Sequence, residues 1–243
     1  MFVEYRKEYS TRLCREMEYK LYGSEGKAML VFPSQDQRFW EWESQGMVAC
    51  LQPWIDAGKL RLICCDSIDR ETWSNTHGDC RWRSEQQERW FHYITDELLV
   101  RLRRGYEPLI VTGCSLGAMH AANLFFRRPD LCDTLIGLSG IYHANYFFGG
   151  YSDETLYYNS PQDYLAHMPA DHPLWEEYRR RRIILCVGQG AWEDDMVPSA
   201  RAMDQILHAH GVPAWVDYWG HDVAHDWPWW RKQIVYFVDK LGL

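Results

Sequence analysis

Short apolar runs alternate with helical patterns along most of this chain, and that alternation restricts the fold more than any other feature. The patterning predicts strands over 17–22, 28–32, 60–65, 108–112, 134–138, 183–187 and 214–218. Helices are predicted over 42–57, 84–103, 116–126, 199–210 and 228–241. Brief apolar strands separated by amphipathic helices are the pattern of a mostly parallel sheet with crossover helices packed on both faces. The expected architecture is therefore α/β, a three-layer α/β/α sandwich. No repeat, low-complexity linker or break in composition interrupts residues 1–243, so one domain is expected.

Hydrophobic residues make up 47% and charged residues 25% of the 243, the profile of a soluble globular protein. A net charge of -8 argues against nucleic acid as a partner, because phosphate binding needs clustered Lys and Arg. The one dense basic run, Arg179 to Arg182, precedes an apolar strand and reads as the solvated end of a helix. No stretch reaches the length of a membrane span, and the opening MFVEYRKEYS is too polar for a signal-peptide core. The eight cysteines show no C-x-x-C pair or zinc-like spacing, and several lie inside apolar runs. Reduced thiols, and hence a cytoplasmic location, are expected.

Two long connections, 66–85 and 141–178, leave the carboxyl ends of predicted strands, where the ligand crevice of a parallel sheet forms. The second contains IYHANYFFGGYSDETLYYNSPQDYL. Thirteen tryptophans and fifteen tyrosines suit either an aromatic core or an aromatic-lined pocket. The tryptophan-rich final helix suits a homodimer contact or internal packing equally well.

The chemistry centres on VTGCSLGAMHA, residues 111–121, which spells G-x-S-x-G between an apolar strand and a helix. A tight strand-to-helix turn forces the central serine into a strained backbone conformation and lifts its hydroxyl above the sheet edge. Gly113 and Gly117 leave room for that turn, and the amide of Leu116 opens the helix toward a developing oxyanion. Ser115 is the expected nucleophile. Cys114 is expected to be turned away.

A serine hydroxyl needs a base and an orienting carboxylate, in the chain order Ser, acid, His for this arrangement. RRIILCVGQGAWEDDMVPSA supplies strand, glycine turn and three acids. Asp194 is the expected acid, Asp195 next, and Glu193 stays open; the others would simply favour the coming helix N-terminus. WVDYWGHDVAHDWPWWRKQ supplies His221 and His225. His225 is favoured because Asp226 and Pro228 mark a helix start that would hold it rigidly. The remaining histidines, His120 among them, read as surface or packing residues. The second oxyanion amide is expected from the 33–36 loop, at Gln35.

With these residues located, the sequence resembles the α/β-hydrolase fold and, more narrowly, the esterases related to esterase D. The resemblance rests on MEYKLYGSEGKAMLVFPS, GCSLGAMHAA, SGIYHANYFFGGY, VGQGAWEDD and the closing HDWPWW, in that order over nearly the whole chain. It implies a Ser-His-Asp hydrolase of a small carboxylic ester, with no metal and no organic cofactor. Many relatives carry a glycine-bearing step in the first oxyanion loop. Here the text is Pro33-Ser34-Gln35-Asp36, and a carboxylate turned inward there would oppose an oxyanion. The same residues would also serve thioester or peptide hydrolysis, or acyl transfer. A non-catalytic binding protein on a hydrolase scaffold is the reading from a different class.

Overall fold

The computed structural model describes residues 1–243. Its eight strands are β1 (Val3–Ser10), β2 (Arg15–Tyr22), β3 (Lys27–Phe32), β4 (Leu60–Cys65), β5 (Leu109–Cys114), β6 (Cys132–Leu138), β7 (Arg182–Val187) and β8 (Trp215–Tyr218). They form one sheet in the order β1-β2-β4-β3-β5-β6-β7-β8. Pairing is antiparallel at β1–β2 and β2–β4 and parallel from β4 through β8. The arrangement is the α/β-hydrolase fold, a three-layer α/β/α sandwich.

Period-2 alternation along the strands feeds the two helical layers. Ala28, Leu30 and Phe32 of β3 pack with Ile63 and Cys65 on one face; Met29 and Val31 pack with Leu62 and Cys64 on the other. The first face is covered by α3 (Cys80–His92), α5 (Leu116–Arg127), α8 (Pro161–Ala166), α9 (Leu174–Arg179) and α10 (Met196–Ala209). The second is covered by α1 (Glu41–Ser44), α2 (Met47–Asp56) and α11 (Trp227–Lys240). Trp230, Ile234, Phe237 and Val238 of α11 all face this core, so much of that helix's apolar surface is used internally.

Departures from the sequence expectations have local causes. The helix expected over 42–57 is two, α1 and α2, because Gly46 between them adopts φ 74° and breaks the helical path. The helix expected from 84 begins at Cys80, where the Asp79 carboxylate accepts from the Trp82 amide at 2.8 Å. It continues through a π-helical turn, Tyr93–Leu98, into α4 (Leu99–Leu102). β1 lies outside the predicted strands: it is an edge strand with both faces largely exposed, so its few apolar side chains, Val3, Tyr5 and Tyr9, mark no buried face. The long 141–178 connection holds α6 (Asn145–Phe148) and α7 (Glu154–Tyr158) as well as α8 and α9. All eight cysteines are free thiols, and five of them are buried. No helix is long and apolar enough to cross a membrane.

Candidate active site

Parallel pairing brings the chemistry-bearing loops to one edge. Phe32 at the end of β3 pairs with Gly113 near the end of β5; Cys114 pairs with Leu138, Leu138 with Cys186, and Val187 with Tyr218. The segments leaving β3, β5, β6, β7 and β8 therefore emerge side by side at the carboxyl ends of the strands.

At the end of β5, Ser115 has φ 56° and ψ -124°, a conformation that costs an L-residue energy and persists only where its surroundings enforce it. The enforcement is steric. A Cβ on Gly113 would sit 2.3 Å from the Gly117 carbonyl carbon, and one on Gly117 would sit 2.5 Å from the Phe32 carbonyl oxygen. The turn closes only because both positions are glycine. Cys114 is fully buried, and desolvation pushes its thiol well above the ordinary range, which leaves it a protonated packing residue.

The segments after β7 and β8 meet, and the carboxylate that reaches His225 is Glu193 rather than Asp194. His225 Nδ1 lies 3.4 Å from Glu193 Oε2. Asp194, the expected acid, is exposed and forms no hydrogen bond or ion pair, and Asp195 is exposed as well. The turn after β7 explains the difference. The Gly190 amide donates to the Val223 carbonyl and the Glu193 amide to the Gly190 carbonyl, which winds the chain so that Glu193 points inward and its two neighbours outward. Glu193 is 1% exposed, and its Oε1 accepts from Ser139 Oγ at 2.6 Å and from the Gly188 amide at 3.3 Å. Ser139 is itself in the left-handed region at φ 51°, just past β6. Trp230 ties the group together: its Nε1 donates to Ser139 Oγ at 3.0 Å, and its ring meets the His225 ring edge-on at 4.8 Å. His221 is exposed and turns instead to the Gln189 carbonyl. Ser115 Oγ makes no hydrogen bond, with His225 or any other group, and His225 keeps Nε2 free.

In the 33–36 loop, the Gln37 amide donates to the Ser34 carbonyl at 3.0 Å, closing a turn with Gln35 and Asp36 at its centre. Asp36 sits at φ 64°, the position for which a turn of this kind prefers glycine and tolerates Asp or Asn. The Gln35 amide donates to nothing within the protein, while its side chain reaches Ser74 Oγ at 2.8 Å. Ser34 is held by Glu41, whose Oε2 accepts from the Ser34 amide at 2.8 Å and whose Oε1 accepts from the Ser34 hydroxyl. Burial raises the Glu41 carboxyl to about 7; the Ser34 bonds oppose that rise and the Asp69 charge adds to it.

The surroundings are aromatic. Leu116 and Met119 of α5 pack with Trp73, Ala144, Phe148 and Leu156. Beneath them, His120 Nε2 contacts Asp69 Oδ1 at 2.9 Å with both side chains 1% exposed, between the rings of Trp73, Trp90 and Phe32. That pair pins the 66–79 loop to α5. Nothing in the local sequence marks it, since Asp69 and His120 lie 51 residues apart. Trp192, beside Glu193, is 79% exposed at φ 69°. A cavity of about 350 Å³ lies elsewhere, between α5 and α7–α9, and includes none of Ser115, Glu193 or His225.

The profile of the family described as Putative esterase matches residues 50–241. The chain belongs to this family. A search of curated proteins finds no match. Among solved structures the chain is similar to a ferulic acid esterase (14% identity, TM-score 0.75, covering 97% of this chain and 95% of that one). It is also similar to FphF of Staphylococcus aureus, a fluorophosphonate-binding serine hydrolase (12%, TM-score 0.72, 98% and 97%). An S-formylglutathione hydrolase from Agrobacterium tumefaciens is a third (11%, TM-score 0.73, 98% and 93%). At these identities the likenesses speak for the fold. Family membership and fold together support an esterase-type hydrolase.

Proposed function

We propose that this chain is a serine carboxylic-ester hydrolase working through an acyl-enzyme, with Ser115 as nucleophile, His225 as base and Glu193 as the orienting acid. The observation that carries the reading is the Glu193–His225 contact, formed at the sheet edge where the strained Ser115 turn also emerges. Glu193 would hold a proton on His225 Nδ1, leaving Nε2 to take the Ser115 proton as the hydroxyl attacks the ester carbonyl. The amides of Leu116 and Gln35 would stabilise the oxyanion; the Gln35 amide is free to do so. Protonated His225 then returns its proton to the departing alcohol, and water repeats the sequence to release the acid. Triad hydrogen bonds are often long in unliganded enzymes and tighten on substrate, which accommodates the unpaired Ser115 hydroxyl.

The test is covalent labelling. A fluorophosphonate should add its phosphonyl mass to the peptide containing Ser115, and Ser115→Ala should abolish both label and ester hydrolysis. Absence of labelling in folded protein would instead favour a binding protein on this scaffold, the reading that the missing Ser115–His225 hydrogen bond supports. Rates on p-nitrophenyl esters, thioesters and aminoacyl amides separate ester hydrolysis from other acyl chemistry.

A further inference from the structure

We propose that Glu41 is a positioning residue for the oxyanion loop, holding the Gln35 amide in place through Ser34; the inference rests on the esterase reading above. Glu41 lies on α1, outside every motif that carries the triad, yet its side chain is almost wholly buried at 3% exposure. A buried carboxylate is costly unless its oxygens are hydrogen-bonded. Both of its hydrogen-bond donors, the amide and the hydroxyl, belong to Ser34.

Ser34 is the first residue of the turn that contains Gln35. Its carbonyl accepts from the Gln37 amide at 3.0 Å, so one residue is bound to Glu41 at its N–H and side chain and to the turn at its C=O. Upstream, the Phe32 and Pro33 carbonyls lie against the first turn of α5, 2.5 and 2.6 Å from where a Gly117 Cβ would stand. The loop is thus clamped beneath by the elbow and laterally by Glu41. Its downstream half holds the Gln35–Ser74 side-chain bond and the Asp36 left-handed residue, and just beyond it the Gln37 carbonyl accepts from Ser67 Oγ at 2.9 Å. A loop lacking the lateral clamp would let the Gln35 amide wander. A donor needed chiefly in the transition state is sensitive to displacements of about 1 Å.

The experiment compares wild type, Glu41→Ala, Glu41→Gln and Ser34→Ala in p-nitrophenyl acetate hydrolysis, with fluorophosphonate labelling of wild type in parallel. Glu41→Ala should lower kcat roughly 10- to 100-fold while KM changes less than about threefold, the signature of a transition-state interaction. Glu41→Gln should retain kcat within about threefold, because its amide can accept the Ser34 N–H and donate to the Ser34 hydroxyl. Ser34→Ala keeps the backbone bond and should show the same signature at roughly 3- to 10-fold; it decides the matter should Glu41→Ala fail to fold. An unchanged kcat in folded Glu41→Ala, or in Ser34→Ala, overturns the proposal while a labelled, active wild type leaves the esterase reading standing. Equal damage from Glu41→Gln and Glu41→Ala also overturns it. A wild type that neither labels nor hydrolyses esters removes both.

Discussion

Replacing Glu193 with glutamine tests the reassigned acid most directly, and the structure indicates how the change should act. Glu193 Oε1 receives two donors, Ser139 Oγ at 2.6 Å and the Gly188 amide at 3.3 Å. In Glu193→Gln those donors select the amide oxygen for the same place. The amide nitrogen then falls on the side now occupied by Oε2, 3.4 Å from His225 Nδ1. An N–H donor there turns Nδ1 into an acceptor and moves the ring proton to Nε2, the nitrogen that must accept from Ser115. The wrong tautomer in a serine triad costs about 10⁴ in kcat, or about 5.5 kcal/mol of transition-state stabilisation. Initial rates of p-nitrophenyl acetate hydrolysis give kcat and KM separately, and thermal denaturation checks that the neutral, isosteric variant stays folded. Asp194→Asn, at an exposed residue, should keep kcat within about twofold, on the small effect expected of surface changes. A Glu193→Gln enzyme within tenfold of wild type, or a large loss confined to Asp194→Asn, would refute the reasoning.

Three further outcomes follow from the geometry. Trp230→Phe keeps the edge-on contact with His225 but loses the N–H to Ser139 Oγ, so kcat should fall roughly 5- to 10-fold, the worth of one buried hydrogen bond. Gly117→Ala drives a methyl to 2.5 Å from the Phe32 carbonyl oxygen. It should cost about 3 kcal/mol and lower Tm by roughly 6–12 °C; an unchanged Tm would show that the elbow relaxes. Glu41 has a carboxyl raised from 4.5 to about 7 in the folded chain by burial, so the folded state keeps a proton that the unfolded chain has released between those values. Its contribution to stability therefore falls as pH rises from 4.5 to about 7, by about 3 kcal/mol in all. Urea unfolding at pH 5 and pH 8 should show the stability of Glu41→Gln relative to wild type improving by about 2.5 kcal/mol at the higher pH, since part of the loss is already present at pH 5. No change in the difference would count against the raised value.

The fold and the strained serine turn are legible in the chain itself because their causes are local. Apolar runs at strand length, interrupted by helical periodicity, leave few alternatives to a parallel sheet with helices on both faces. The Gly113–Gly117 spelling requires the close backbone approach observed at Ser115. His225 was separable from His221 by the capping residues that follow it. The choice among Glu193, Asp194 and Asp195 had no such local signature. Adjacent residues in a turn point in different directions, and which one faces inward follows from the Gly190–Val223 hydrogen bond, a contact 33 residues apart. Ser139, Trp230 and Asp69 carry no local mark for the same reason. Each acts through a partner on another strand end or helix, and only the side-by-side arrangement of the strands brings those partners within hydrogen-bond distance; Glu41 instead meets Ser34, seven residues away, across a turn whose shape the spacing alone does not fix. Local spacing dictates the sheet and the serine turn; long-range register selects the carboxylate that meets the histidine.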